Sequence, residues 1–141
     1  MIDLSVEGMW TVLAPGELSG GRFAVVEARE RRGAAPPRHV HSREDEFIYV
    51  LEGQLRVDLD GGRFDRAAGT GMFLPRGIEH SYRVQSEEAR LLVLLSPAGL
   101  ECCIAALVLS CTPDAEHQRI EHLVTIAARY GVAITAPARP P

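Results

Sequence analysis

The sequence has no long apolar run and no cluster of basic residues. No apolar segment reaches the roughly 18 residues that a membrane-spanning helix needs. The first ten residues carry Asp3 and Glu7 where a secretion signal is basic and then apolar. The formal net charge of −4 is spread along the chain, with no run of basic side chains to neutralise several phosphates. We therefore expect a cytoplasmic protein that binds neither nucleic acid nor membranes.

The cysteines are also few and lack a recognisable spacing. Cys102, Cys103 and Cys111 lie in one apolar stretch, without the C-x-x-C pairs typical of zinc or redox sites. We interpret all three as buried, reduced thiols.

The remaining composition is that of an ordinary globular domain. The chain has 141 residues, 46% of them hydrophobic and 24% charged, which predicts a single domain over residues 1–141. From Trp10 to Ser96, short apolar runs alternate with turn signals, a pattern typical of all-β sandwiches and barrels. We place the barrel at about residues 10–96. The predicted strands are Trp10–Leu13, Arg22–Ala28, His39–His41, Glu46–Leu51, Gln54–Asp60, Arg63–Arg66, Met72–Leu74, His80–Gln85 and Arg90–Leu95.

The C-terminal part has helical periodicity. Thr112 is a candidate N-cap, and Gly131 lies where that helix would end. Residues 98–109 are a second, shorter helix or an irregular apolar segment, so the helical segment spans about residues 98–131. We expect this segment to cover the second side of Arg90–Leu95, a strand that is apolar on both faces. Residues 137–141 are predicted to be a flexible tail.

Two spaced motifs carry the chemistry. The first reads GAAPPRHVHSREDEFIYVLEG between Gly33 and Gly53, so His39, His41 and Glu46 follow the first glycine at fixed intervals. The second reads GTGMFLPRGIEH and ends at His80. Both spacings resemble the two motifs of the cupin superfamily, and the first looks most like small members of the quercetin 2,3-dioxygenase-like group. The resemblance implies an all-β cupin barrel, a double-stranded β-helix of the jelly-roll type, with the C-terminal helical segment outside it.

Strand geometry independently predicts a metal site. Residues two apart on a strand point to the same face, so His39 and His41 present two imidazoles to one point. Glu46 and His80 each begin another strand and can project inward with them. Three imidazoles and one carboxylate suit a divalent ion of Fe, Mn, Ni, Co, Cu or Zn. The adjacent carboxylates Glu44 and Asp45 are alternatives to Glu46, although spacing and strand parity favour Glu46.

The surroundings of this site are predicted to be apolar. The inward faces of the predicted strands supply a substrate pocket that consists of Ile48, Val57, Met72, Leu74, Tyr82 and Val84. Val84 stands where the family pattern often has Asn, so any role of that amide is missing. A flat aromatic or polyketide-like small molecule suits such a pocket.

The resemblance implies several activities. In a metal-dependent dioxygenase, Glu46 accepts the proton of a substrate hydroxyl, and dioxygen reacts with the activated carbon. The same ligands are compatible with a non-oxidative isomerase or polyketide cyclase, and with a non-enzymatic small-molecule binder. Phe47, Tyr49 and Leu51 point away from the barrel interior, and we expect them to lie in a homodimer interface.

Overall fold

The computed structural model describes residues 2–5, 8–110 and 116–141. Within these residues the strands form two antiparallel sheets, one with the order β1-β2-β3-β10-β5-β8 and the other with the order β11-β4-β9-β6-β7. The strands are β1 (Ile2–Ser5), β2 (Gly8–Ala14), β3 (Ala24–Arg31), β4 (Arg38–His41), β5 (Asp45–Glu52), β6 (Gln54–Leu59), β7 (Gly62–Ala67), β8 (Gly71–Leu74), β9 (His80–Val84), β10 (Glu88–Ser96) and β11 (Val132–Ala136). This arrangement confirms the predicted all-β, jelly-roll class, although the described strands form two facing sheets rather than one closed barrel.

The core lies between the two sheets and follows the alternation of side chains along each strand. In β10 the buried residues are Ala89, Leu91, Val93 and Leu95, and the residues between them face outward. Leu55 and Val57 of β6 contribute the same kind of inward face from the other sheet. One continuous apolar cluster therefore joins the two sheets.

The C-terminal residues form two helices and a strand. The helices are α1 (Leu100–Ser110) and α2 (Glu116–Arg129), and Gly131, with φ +77°, follows the end of α2 as predicted. The predicted cap Thr112 lies outside the described residues. No described helix is both long and apolar enough to cross a membrane.

The strand β11 was not predicted from the sequence. It pairs antiparallel with β4, with Val132 opposite His41 and Ile134 opposite His39. The C-terminal segment therefore supplies the edge strand of the five-stranded sheet, beside the strand that carries two predicted ligands.

The outward face of the six-stranded sheet is not covered by the described helical residues, contrary to expectation. Leu94 of β10 is 41% exposed, and its cross-strand neighbour Phe47 on β5 is 38% exposed. Phe73 of β8, paired with Phe47, is 54% exposed. Tyr49 and Leu51 are half-buried. The packed elements explain the difference, because α2 contacts β11 and α1 contacts β1 and α2.

The C-terminal tail, residues 137–141, makes specific contacts with the five-stranded sheet, and its predicted flexibility stays a prediction. The guanidinium of Arg139 donates to Asp58 Oδ1 and Gly61 O at 3.3 and 3.2 Å. Arg83 donates to the carbonyl oxygen of Arg139 at 2.8 Å, and Arg38 donates to that of Pro137 at 2.9 Å. Arginine side chains of the sheet thus donate hydrogen bonds to backbone carbonyl groups of the tail. These contacts join residues far apart in the sequence, so local sequence patterns do not predict them.

The cysteines differ in part from the prediction. Cys103 on α1 is buried, but Cys102 is exposed. Both are free thiols, and Cys111 lies outside the described residues. Consecutive helical residues point in directions about 100° apart, so one of two adjacent cysteines faces solvent.

Candidate metal centre

The four predicted ligands come together from three strands. His39 and His41 lie on β4, His80 on β9 and Glu46 on β5, and one ligand atom from each lies within 4.8 Å of the others. His39 pairs directly opposite His80 in the β4–β9 register, which brings their side chains to the same face. Glu46 approaches from the facing sheet.

The side chains are close enough to hold one ion between them. Glu46 Oε2 lies 3.4 Å from His41 Nε2 and 3.3 Å from His80 Nε2. The ring of His39 is 4.9 Å from that of His41 and 4.5 Å from that of His80, measured between centroids. His41, Glu46 and His80 are buried, and His39 is half-buried.

The backbone fixes which ring nitrogen points inward. His39 Nδ1 lies 2.7 Å from the carbonyl oxygen of Pro37, and His80 Nδ1 lies 3.1 Å from that of Ile78. A carbonyl oxygen only accepts, so each Nδ1 carries the proton and donates it. Each Nε2 is then left with a free lone pair, which is the form of histidine that binds a metal.

The charges at the site also favour metal-binding forms. Burial, followed by the neighbouring His80 and His41, lowers the pKa of His39 to about 4, so its imidazole is neutral at pH 7. Burial raises the pKa of Glu46, but its interactions with His80, His41 and His39 outweigh burial and hold that pKa below its usual value. Glu46 therefore presents an ionised carboxylate.

The site fits a divalent ion because its inward atoms lack hydrogen-bond partners. His41 Nε2, His80 Nε2 and Glu46 Oε2 are all buried, and none has a hydrogen bond within the described part of the chain. Buried polar atoms are almost always satisfied, so such a convergence calls for a bound group. Nitrogen and carboxylate ligands suit first-row divalent metals.

The two alternative carboxylates are placed elsewhere. Asp45 turns to the surface, where Arg76 binds it with distances of 3.2 Å to each of its carboxylate oxygens. Glu44 is buried behind His41, with Oε2 3.5 Å from His41 Nδ1 and therefore on the side of the ring away from Glu46.

The six predicted pocket residues are all part of, or packed against, the apolar cluster between the sheets. Ile48, Val57, Leu74 and Val84 are at most 2% exposed, Tyr82 is 6% exposed and Met72 is half-buried. The prediction that they contact a substrate stays a prediction.

Sequence reasoning missed the buried carboxyl group of Glu30 and weighed Glu44 only as a metal ligand. Glu30 of β3 accepts a hydrogen bond of 2.5 Å from the hydroxyl of Tyr82, and Glu44 lies against His41. The burial of Glu30 could have been predicted, because it lies two and four residues after Ala28 and Val26 on β3 and so points to the same buried face.

These observations define a two-sheet β-protein with a buried cluster of three histidines and one glutamate suited to a divalent ion. A cupin domain model matches residues 26–95. The chain belongs to the cupin superfamily.

Curated and solved relatives are consistent with this assignment. The chain is 42% identical over 81 residues to quercetin 2,3-dioxygenase of Bacillus subtilis, covering 57% of this chain and 24% of that protein. It is 44% identical over 88 residues to polyketide synthase CurC of Streptomyces cyaneus, covering 62% and 57%. A solved RmlC-like cupin from Shewanella frigidimarina superposes with a TM-score of 0.63 at 24% identity, covering 72% of this chain and 86% of that one. The chain thus spans less than two thirds of the length of both curated relatives.

Proposed function

We propose that the chain is a metal-dependent dioxygenase that acts on a small aromatic or enol-type substrate. The observation that carries the metal requirement is the convergence of buried, unsatisfied Nε2 and Oε2 atoms described above. The dioxygenase assignment is supported by the 42% identity over 81 residues to a quercetin 2,3-dioxygenase.

A bound divalent ion would supply a Lewis acid for a substrate oxygen and a centre for reaction with dioxygen. His39, His41 and His80 would hold it through Nε2, and Glu46 would be the fourth ligand. Glu46 has a second role in this proposal, because its ionised carboxylate accepts the proton of a substrate hydroxyl beside the ion.

The apolar residues around the site have a separate role. Met72 is the half-buried member of the predicted pocket, so it is the position where a ring can enter with the least repacking. Ile48, Val57 and Leu74 exclude water from the site. Tyr82 is already bonded to Glu30, which leaves its hydroxyl proton engaged.

An oxygen-uptake assay tests the proposal. The purified protein is stripped of metal, loaded in turn with Fe, Mn, Ni, Co, Cu or Zn, and given a panel of flavonols and polyketide-type enols. We expect uptake of one dioxygen per substrate consumed with at least one metal. Substrate conversion at equal rates with and without dioxygen would overturn the oxidative chemistry.

A second candidate is a non-oxidative isomerase or polyketide cyclase. The observation that favours it is the 44% identity to polyketide synthase CurC, of which this chain covers a larger share than of the dioxygenase. The anaerobic arm of the same assay separates the two functions, because only the second forms its product without dioxygen.

A further inference from the structure

Glu44 is a buried carboxyl group with no partner in the mechanism above. It lies between β4 and β5, and its side chain is 2% exposed. Its Oε2 is 3.5 Å from His41 Nδ1, on a histidine that is also 2% exposed. Neither atom has a hydrogen-bond partner among the described residues, so the two atoms are free to form a hydrogen bond with each other.

The burial of Glu44 needs an explanation because it is costly. A carboxyl group taken from water without a compensating bond costs several kcal/mol. The N-terminal part of α1 lies over it: a side chain added at Gly99 would reach within 3.5 Å of Glu44 Oε1, and burial, followed by the charge of Glu44, raises the pKa of Cys103 to about 11. An apolar residue would be more stable in this environment, so the presence of a carboxyl group here indicates a functional role.

The three histidines of the site differ in what their outer nitrogens face. Nδ1 of His39 and Nδ1 of His80 face backbone carbonyl oxygens, which hold each ring in one tautomer. Among the described residues no carbonyl oxygen does this for His41, and the Glu44 carboxyl group lies in the equivalent place. Nδ1 of every histidine at the site therefore faces one oxygen atom, and for His41 that oxygen belongs to Glu44.

We propose that Glu44 is a positioning residue that accepts a hydrogen bond from His41 Nδ1 and so directs Nε2 of that ring to the metal ion. The inference rests on the proposed metal binding. The 3.5 Å separation is a few tenths of an ångström longer than an ordinary hydrogen bond, and a small rotation of either side chain closes it. Outer partners of this kind orient ligating histidines and increase their basicity.

Paired substitutions at two buried glutamates test the role. Glu44→Leu removes the acceptor, and Glu44→Gln keeps an amide oxygen that can still accept. Glu101 is the matched control, because it is 7% exposed and bonds the backbone of Gly99 rather than a ligand. Zinc affinity is measured by competition with a chromophoric chelator, and the tautomer of each histidine by ¹⁵N NMR of the metal-free protein.

We expect Glu44→Leu to weaken zinc binding about 10- to 100-fold, the range for loss of an outer partner of a ligand. Glu44→Gln should lose only a few-fold, and Glu101→Gln and Glu101→Leu should bind zinc as the wild type does. In Glu44→Leu the His41 ring should show a mixture of Nδ1–H and Nε2–H forms, while His39 and His80 keep Nδ1–H. A merely structural role of Glu44 would not change one tautomer alone.

Zinc affinity of Glu44→Leu within twofold of wild type, with an unchanged His41 tautomer, overturns the proposal. If Glu44→Leu does not fold, Glu44→Asp decides, because it keeps the carboxyl group but withdraws it from the ring by one methylene. Unchanged affinity and an unchanged His41 signal in that variant also overturn the proposal. Failure of the wild-type protein to bind any divalent ion would overturn the proposed function itself, and is thereby distinguishable.

Discussion

Val132 of β11 lies opposite His41 of β4 in the antiparallel register, so a strand near the C-terminus supports a strand that carries two metal ligands. On its other side, β4 meets β9 at one registered pair, His39 and His80. A strand with so little pairing opens locally at low cost. The position of two imidazoles therefore depends on a segment outside the residues that the cupin model matches.

Deletion of residues 132–141 tests this dependence. We expect zinc affinity to fall at least about tenfold, since β4 loses its main pairing partner and the ligand geometry loosens. Deletion of residues 137–141 is the control, because it removes the tail contacts of Arg139 but keeps β11. If the longer deletion does not fold, Ala133→Pro, which disrupts the β4–β11 ladder opposite Val40, replaces it. Wild-type affinity in these variants would contradict the dependence.

Glu46→Gln is expected to abolish turnover of any substrate found. The variant should still bind a divalent ion, but less tightly, because three imidazoles remain. The proton acceptor is lost completely. Rate and metal content are measured at saturating metal, with Asp45→Asn as the control, since Asp45 pairs with Arg76 at the surface. Recovery of most of the wild-type rate in remetallated Glu46→Gln would show that the residue is a structural ligand only.

The protein is expected to form a homodimer through the outward face of the six-stranded sheet. Phe47, Phe73 and Leu94 lie in one cross-strand row there and are each at least 38% exposed. A contiguous apolar row of this kind is seldom left in water, and a second copy offers the same row in return. Light scattering at micromolar concentration should show a dimer for the wild type and a monomer for Phe47→Glu.

A matched control for the dimer exists on the other sheet. Phe64 of β7 is 39% exposed, almost the same as Phe47 at 38%. Phe64→Glu should leave the dimer intact. A monomeric wild-type protein, or equal effects of the two substitutions, would count against this interface.

Tyr82→Phe should change how stability depends on alkaline pH. Burial and then the charge of Glu30 raise the pKa of Tyr82 well above its ordinary value of 10.0. The folded state therefore holds this proton more tightly than the unfolded state, so the stabilisation is present below about pH 10 and is lost as pH rises above it.

We expect Tyr82→Phe to unfold at a higher pH than the wild type, as followed by circular dichroism. At pH 7 the variant should be less stable by about 1–3 kcal/mol in urea, because a buried hydrogen bond to Glu30 is lost. Tyr49→Phe, on the outward face, is the control for loss of a hydroxyl. Coincident alkaline midpoints of wild type and Tyr82→Phe would contradict the assignment.

Much of the centre could be predicted from the sequence because its determinants are local. The interval between His39 and His41 sets a common strand face, and the turns before Glu46 and His80 are marked by the spacing of the two motifs. The predicted strands from His39 to Leu95 agree with the observed ones to within about two residues at each end.

The features that were missed depend on distant partners. The sequence Val132–Ala136 is a short apolar stretch after a helix, and it becomes a strand because the edge of β4 is available to it. The tail is held by arginine side chains some 55 to 100 positions away along the chain. Glu44 was considered as a ligand, but only the orientation of the His41 ring reveals that it faces Nδ1.

The division of ligands between the sheets has a thermodynamic consequence. His39, His41 and His80 belong to the five-stranded sheet and Glu46 to the six-stranded one, so a divalent ion bound to all four would act as a cross-link between them. Separation of the sheets would require release of the ion, and by mass action the unfolding free energy then gains about 2.7 kcal/mol at a free ion concentration 100 times the dissociation constant. The free ion concentration, which chelators and buffers control, would therefore change the melting temperature by as much as the substitution of a core residue.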